Sequence, residues 1–208
     1  MNSELILPKE QRQACEIVPA DCPKPLDFSV LYGYANPVEL EIGIGKGYFM
    51  MTSALADPET NFLGIEYARK YLIRAIDRIE KRPIRNVRLV HTEAMTFIQE
   101  HIPDQSLRTV HLYFPDPWHK KRHHKRRIFQ LNFIEQVHRI LQPKGHLLIA
   151  TDHADYWAWM QEVLEKQTLL NPSERLPEPP IDTEGLTNYE IKYLREGRTI
   201  YRTGYQKP

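Results

Sequence analysis

Cysteine is scarce in this chain, with only Cys15 and Cys22 among 208 residues. Two cysteines are too few for a disulfide framework, and their spacing does not match a metal site, so a reducing compartment is expected. Long apolar runs are also lacking, and the polar start at residues 1–4 has no signal-peptide core. The net charge is only +1, so the protein as a whole does not strongly attract polyanions. We therefore expect a cytoplasmic protein that does not span a membrane.

The remaining composition is that of a globular domain. Hydrophobic side chains make up 41% of the chain, and the length of 208 residues is within the range of a single domain. Residues 1–37 hold five prolines and little periodicity, which predicts an N-terminal arm that is laid over the rest and includes one short helix. Residues 38–208 are predicted to form that single domain.

From Val38 onward, strand-like apolar runs alternate with helical patterns, which predicts a parallel sheet with helices on both faces. The predicted strands are 38–42, 61–66, 87–91, 108–114 and 145–151, and the predicted helices are 48–57, 68–81, 94–101, 127–141 and one after 151–152. The segment 171–185 holds four prolines without periodicity and is predicted to be a lid-like loop. A helix over 187–196 and an edge strand over 199–206 are predicted to follow.

A glycine-rich loop follows the first predicted strand of the domain. Gly43, Gly45 and Gly47 alternate between that strand and a helix, so the backbone can approach a ligand and the helix N–H groups can hold an anionic group. Glu66 lies 19 residues beyond Gly47, at the end of the next strand, where nucleotide sites place an acid for ribose hydroxyls. The glycine spacing differs from that of dinucleotide enzymes, so a nicotinamide cofactor is the weaker interpretation.

The loop after the fourth predicted strand holds Asp116 between two prolines, followed by Trp118 and Lys120. In a doubly wound sheet this loop faces the glycine loop, because ligands bind where the strand order reverses. A carboxylate held there by prolines could accept hydrogen bonds from a base or from a substrate ammonium. A rigid turn in which Asp116 caps a backbone N–H is an equally good interpretation.

A basic run follows that loop, with six cations and no acid between Lys120 and Arg127. Its histidines suggest a metal site at first, but the run has no cysteine or carboxylate and its charge opposes a further cation, so no metal is expected. Such charged runs usually form a solvated face of the protein. The position directly after the Asp116 loop favours contact with a phosphate backbone instead, through Lys121, Arg122, Lys125 and Arg126.

Four segments of the chain resemble the bacterial tRNA (guanine-N(7)-)-methyltransferases, and the similarity extends from about residue 38 to the end. The segments are 41–47, 114–127, 150–152 and 187–190. The first is shared with many enzymes that use S-adenosylmethionine, whereas the second is specific to this family. The resemblance implies a Rossmann-like class I methyltransferase fold, whose seven-stranded sheet is mostly parallel with an antiparallel last strand.

The resemblance also implies a cofactor and a set of site residues. S-adenosylmethionine would bind through Glu41, Glu66, Glu93 and Asp116, and Glu93 stands where family members commonly carry Asp or Asn. The tRNA would contact Lys120, Asp152, Thr187, Asn188, Tyr189 and Glu190. Thr187 and Glu190 also fit a helix capping box, which is a purely structural alternative for that segment.

The implied product is N7-methylguanosine in the variable loop of tRNA. Nitrogen 7 of guanine already has a lone pair in the ring plane, so its attack on a sulfonium methyl group needs no strong base. Asp116 would then act first by positioning the reactants. A methyltransferase acting on another RNA and a cofactor-free RNA-binding protein are the alternatives, and the expected assembly is a monomer or a homodimer.

Overall fold

The computed structural model describes residues 8, 10, 14–177 and 196–208. The strands in these ranges are β1 (Glu16–Ile17), β2 (Val38–Ile42), β3 (Asn61–Glu66), β4 (Val87–His91), β5 (Leu107–Tyr113), β6 (Leu141–Thr151), β7 (Asn171–Ser173) and β8 (Tyr201–Gln206). They form one sheet in the order β1-β4-β3-β2-β5-β6-β8-β7. The pairs among β1 to β6 are parallel, whereas β8 is antiparallel to both β6 and β7.

Six α-helices are described, and they connect the strands. They are α1 (Phe28–Tyr32), α2 (Tyr48–Ala56), α3 (Arg69–Glu80), α4 (Ala94–His101), α5 (Leu131–Ile140) and α6 (Ala154–Lys166). The predicted fold class is confirmed, because the sheet is mostly parallel and its last strand in the sequence is antiparallel. The eighth described strand, β1, comes from the N-terminal segment and is additional to the seven expected.

The central strands are covered on both faces, which explains their apolar sequences. Every residue of β2 and of β3 is buried, as expected for parallel strands between two layers of helices. α3 presents Leu72, Ala75 and Ile79 to one core cluster, and α5 contributes to the other cluster on the opposite face. The sheet therefore carries a rigid carboxyl edge, where functional loops can be positioned accurately.

The helix predicted over 127–141 is shorter than expected. Residues Lys121–Arg126 form a 3-10 helix, and Gln130 has an extended backbone, so α5 begins at Leu131. At the other end, β6 begins directly at Leu141, and its register with β5 is interrupted between Leu107 and Thr109. The turn residues at 142–145 are thus an irregularity inside the strand rather than a separate loop.

The proline-rich segment predicted to be a lid begins as a short strand, because Asn171–Ser173 forms β7. Residues 178–195, which include most of that segment and all of the predicted helix except its last residue, lie outside the described residues.

None of the helices in the described part of the chain is both long and apolar enough to cross a membrane.

The strand order places one crevice at the carboxyl edge of the sheet. The chain builds outward from β2 to β3 and β4, and then returns to β5 on the other side of β2. Where the order reverses, the loops after β2 and β5 diverge over opposite faces and leave a space between them. The glycine loop and the Asp116 loop therefore face each other, as the sequence predicted.

Candidate functional site

A cleft of about 360 Å³ opens at the carboxyl ends of β2, β3, β4 and β5. Its volume is within the range of roughly 300–1,000 Å³ that is typical of small-molecule sites. Apolar residues from the strand ends form its floor, and carboxylates and aromatic rings form its walls. The lining includes Ile42, Gly43, Gly45, Ile65, Glu66, Tyr67, Tyr71, Thr92, Glu93, Leu112, Asp116, Trp118, Arg126 and Ile128.

The glycine loop between β2 and α2 depends on backbone conformations that other residues rarely adopt. Gly43 has φ 77°, lines the cleft, and a Cβ atom there would meet no atom within 4 Å, so this position is open. Gly47 has φ 68°, and a Cβ atom there would lie 2.7 Å from Cβ of Ala75 in α3. The glycines therefore leave space for a ligand and allow α2 to begin against α3.

Glu66 ends β3, and its carboxylate braces the glycine loop. Its Oε2 accepts a hydrogen bond of 2.8 Å from the N–H of Gly45, and its Oε1 accepts one of 2.7 Å from the N–H of Ala68. Burial raises the pKa of Glu66, and the charge of Asp116 adds to that rise, whereas the N–H donors oppose it. Glu66 thus lines the cleft while holding the loop in shape.

Glu93 lies across the cleft from the glycine loop and caps α4. Its carboxylate accepts hydrogen bonds from the backbone N–H groups of Met95 and Thr96, at 3.0 and 2.8 Å. Burial alone would raise its pKa, but the bonds from Thr96 and Met95 outweigh this effect and lower the pKa of Glu93. In this structure Glu93 therefore acts as the N-cap of α4.

Asp116 lies between Pro115 and Pro117 in the loop that follows β5. The flanking residues Phe114 and Trp118 both have φ 49°, a left-handed conformation that non-glycine residues rarely adopt. The Asp116 side chain is exposed, and it has no hydrogen bond or ion pair within the part of the chain that the structure describes. The loop thus presents a carboxylate whose hydrogen-bonding capacity is available to a ligand.

Glu41 is placed differently from the other predicted carboxylates. It lies inside β2, is 3% exposed, and does not line the cleft. In the sheet it is opposite Gly64 on one side and His111 on the other. Glu41 therefore does not border the space in which a ligand would lie.

The basic run divides into exposed cations and one buried cation. Lys121, Arg122, Lys125 and Arg126 are exposed on the 3-10 helix, and none forms an ion pair with an acid among the described residues. The guanidinium of Arg126 lies 5.1 Å from the ring centroid of Trp118, and both side chains line the cleft. Lys120 and Asp116 line a second pocket of about 310 Å³ beside the cleft.

Arg127, the sixth cation of the run, is only 1% exposed. Its Nε donates a hydrogen bond of 2.9 Å to the carbonyl of Pro117, and its other side binds the Asp155 carboxylate. The guanidinium lies 4.8 Å from the ring of Tyr156 and 5.4 Å from that of Trp159. Arg127 thus fastens the Asp116 loop to α6 and cannot contact a ligand.

A second link joins the same two elements. Nδ1 of His119 lies 3.0 Å from Nε2 of His153, and Nδ1 of His153 accepts a hydrogen bond from the N–H of Tyr156. Because Nδ1 of His153 accepts, its Nε2 carries the proton and donates to His119. The loop that carries Asp116 is therefore held on α6 at two points.

We expect Arg127→Met to lower the free energy of unfolding by about 2 kcal/mol, because the Pro117 carbonyl loses its donor and two rings lose their cation. Urea denaturation followed by circular dichroism measures this change. Asp155→Asn is the comparison variant and should cost less than Arg127→Met, because its amide oxygen can still accept a hydrogen bond from Arg127 and only the charge is lost. Equal, small effects of the two variants would contradict the anchoring role of Arg127.

Of the remaining residues predicted to contact tRNA, only Asp152 lies within the described part of the chain. Asp152 follows β6 and accepts a hydrogen bond of 2.9 Å from Arg198, with 14% of its side chain exposed. Residues Thr187, Asn188, Tyr189 and Glu190 lie outside the described residues. The described chain contains no group of three or more His, Cys, Asp or Glu side chains that could hold a metal ion.

Sequence reasoning did not select three residues that line the cleft, namely Tyr67, Tyr71 and Thr92. Tyr67 and Thr92 directly follow strand ends, so their position after β3 and β4 was the signal that could have identified them. Tyr71 belongs to the first turn of α3 and gave no such signal. Its helical spacing is equally compatible with a core position.

Comparisons with known proteins show a similarity to methyltransferases. A family model described as "Putative methyltransferase" matches residues 35–203. The tRNA (guanine-N(7)-)-methyltransferase of Alkalilimnicola ehrlichii is 40% identical to this chain over 185 residues, covering 88% of this chain and 78% of the relative. The enzyme of the same name from Geobacter metallireducens is 37% identical and covers 91% of this chain and 90% of its own length.

Solved structures of methyltransferases share the fold. The 16S rRNA methyltransferase KamB superposes with a TM-score of 0.64 at 12% identity, covering 92% of this chain and 99% of that protein. Phosphoethanolamine N-methyltransferase 2 of Haemonchus contortus, solved with S-adenosyl-L-methionine, gives a TM-score of 0.53 at 13% identity, with 84% of this chain and 49% of that protein covered. At such low identity, these structures establish the fold alone.

Proposed function

Because this chain belongs to the tRNA (guanine-N(7)-)-methyltransferase family, we propose that its cleft binds S-adenosylmethionine and that the adjoining basic surface presents a guanosine of the tRNA variable loop to it. The protein transfers a methyl group from S-adenosylmethionine to nitrogen 7 of guanine in tRNA. The position of Asp116 carries the assignment of the site, because this exposed carboxylate lines both the cleft and the pocket beside it.

The residues present fit the cofactor. The open position at Gly43 admits the close approach of a ligand, Gly45 also lines the cleft, and Glu66 presents a buried carboxylate to hydroxyl groups there. When bound, S-adenosylmethionine supplies an electrophilic methyl group on a positively charged sulfur. Carboxylates at Glu66, Glu93 and Asp116 line the cleft together with one cation, Arg126, and this excess of negative charge favours a cationic ligand.

The protein contributes alignment and charge. Nitrogen 7 of guanine is nucleophilic without deprotonation, so no base or metal is needed to activate it, and rate enhancement comes from holding the reactants in line and excluding water. Guanine becomes positively charged as the methyl group is transferred. Asp116 is proposed to orient the base through its N–H donors and to stabilise that charge. Asp152 and Glu190 are proposed as further orienting carboxylates.

Phosphate contacts would hold the tRNA. The exposed cations at Lys120, Lys121, Arg122, Lys125 and Arg126 are proposed to bind its backbone beside the cleft. We also propose that the protein acts in the cytoplasm, since free cysteines such as Cys15 and Cys22 are typical of a reducing compartment. The proposed assembly is a monomer or a homodimer.

The direct experiment is incubation of the purified protein with labelled S-adenosylmethionine and unmodified tRNA, followed by nucleoside analysis. Label in N7-methylguanosine is the expected result. Label in another nucleoside would favour a different RNA modification. Cofactor binding without any transfer, or RNA binding without cofactor binding, would contradict the proposal.

Replacement of Glu66 tests the cofactor site. We expect Glu66→Ala to weaken S-adenosylmethionine binding about 10-fold, or about 1.4 kcal/mol, because the N–H groups of Gly45 and Ala68 lose a charged acceptor and the ligand loses a partner. Isothermal titration calorimetry measures the affinity. Glu66→Gln keeps one oxygen acceptor and should have an intermediate effect. Unchanged affinity in a folded Glu66→Ala protein would remove Glu66 from the site.

A further inference from the structure

The mouth of the cleft has a second cationic rim on α3, opposite the basic run. Tyr71 lines the cleft, and the ammonium of Lys70 lies 4.8 Å from the centroid of its ring. Arg74 follows one helical turn later, about 6 Å further along α3, and both Lys70 and Arg74 are exposed. We call Lys70 and Arg74 the α3 rim.

The charges of the α3 rim are not neutralised within the described residues. Neither Lys70 nor Arg74 forms an ion pair there. The neighbouring charges are already engaged, since Arg69 binds Glu16 and Lys81 binds Asp77. The surface beside Tyr71 therefore presents positive charge that no nearby acid offsets.

The two rims of the cleft have the same construction. On one side Arg126 lies over Trp118, and on the other Lys70 lies over Tyr71, with both aromatic rings lining the cleft between them. Glu66 and Asp116 lie inside, where a phosphate would be repelled. A polyanion that crosses the mouth would thus meet cations on both sides and carboxylates only at the centre.

We propose that the tRNA lies across the mouth of the cleft and that the α3 rim is a second contact for its phosphate backbone. This proposal rests on the assignment of tRNA as the substrate. Single-sided contact with the basic run leaves the RNA free to pivot about that run. Contact with both rims would fix the direction in which the guanosine enters, which is the alignment that transfer to nitrogen 7 requires.

The test is a double variant, Lys70→Gln with Arg74→Gln, whose tRNA affinity is measured from 50 to 200 mM salt by fluorescence anisotropy. Each phosphate contact contributes about 0.7 to 0.9 to the slope of log affinity against log salt. Loss of two contacts should lower the slope by about 1.4 to 1.8. Between 50 and 200 mM salt, the fall in tRNA affinity of the variant should therefore be roughly 7 to 12 times smaller than that of the wild-type protein. S-adenosylmethionine affinity should be unchanged.

The matched control is Lys144→Gln with Lys166→Gln, which removes the same charge from two exposed lysines remote from the cleft. An unchanged slope in the α3 rim variant would overturn the proposal and leave a solvated helix face. An equal change in the control would show bulk attraction and also overturn it. Weaker cofactor binding would reassign the rim to the cofactor. Failure of the wild-type protein to methylate tRNA would contradict the proposed function itself, whatever the slopes.

Discussion

Asp116→Asn should lower the rate of tRNA methylation roughly 100-fold, which corresponds to about 2.7 kcal/mol of transition-state stabilisation. The amide has almost the same shape as the carboxylate, so the loop should keep its structure. What it loses is the negative charge that faces a guanine becoming cationic, together with one acceptor for the N–H groups of the base. Because Asp116 has no partner among the described residues, its loss leaves no protein group unsatisfied.

Single-turnover methylation at saturating tRNA measures this effect apart from binding. Asp104→Asn is the matched control, because its side chain is 72% exposed and it precedes β5 at the opposite edge of the sheet. That variant should retain wild-type turnover. The alternative in which Asp116 caps a backbone N–H finds no such hydrogen bond among the described residues. An Asp116→Asn protein that methylates tRNA at the wild-type rate would exclude the Asp116 charge from the transfer step.

Neutralising Lys121, Arg122 and Lys125 should remove a large part of the salt dependence of tRNA binding. These three side chains are exposed and do not line the cleft, whereas Arg126 does. Loss of three phosphate contacts should lower the slope of log affinity against log salt by about 2.1 to 2.7, equivalent to roughly 18- to 40-fold between 50 and 200 mM. Cofactor affinity should stay unchanged, because Arg126 and Trp118 are left in place.

A triple variant at the amino edge of the sheet is the control for this prediction. Arg85, Lys144 and Lys166 are exposed cations remote from the cleft, and replacing them by glutamine removes the same net charge. Its salt slope should match that of the wild-type protein. If both triple variants changed the slope equally, the basic run would have no special role and would be a solvated face.

Most of the fold could be predicted from the sequence because burial on both faces leaves a clear pattern. The apolar runs at 38–42 and 61–66 became β2 and β3 with the predicted bounds. Prediction was less accurate at 121–130, where a charged 3-10 helix and an extended residue precede α5. Charged residues occur in either helix type, so their spacing carries no information about which one forms.

The site residues that strand topology places at the carboxyl edge of the sheet could be predicted from the sequence. Residues whose role depends on packing between elements were harder to predict. The glycine loop, Glu66 and Asp116 face one cleft because strand ends meet at one edge. The sequence could not distinguish Arg127 from the other cations of the run, because its burial depends on contacts with the Pro117 carbonyl and with Asp155 of α6. Glu93 likewise has a capping role, which depends on where α4 begins.

The described edges of the sheet are very short, with β1 spanning two residues and β7 three. Pro172 lies in β7 and has no N–H to offer, so neither edge presents a long row of unpaired backbone groups. Such edges are poor templates for strands from other molecules. We therefore expect the folded protein to resist edge-to-edge aggregation at high concentration, and any homodimer to form through side-chain surfaces instead of a continuous intermolecular sheet.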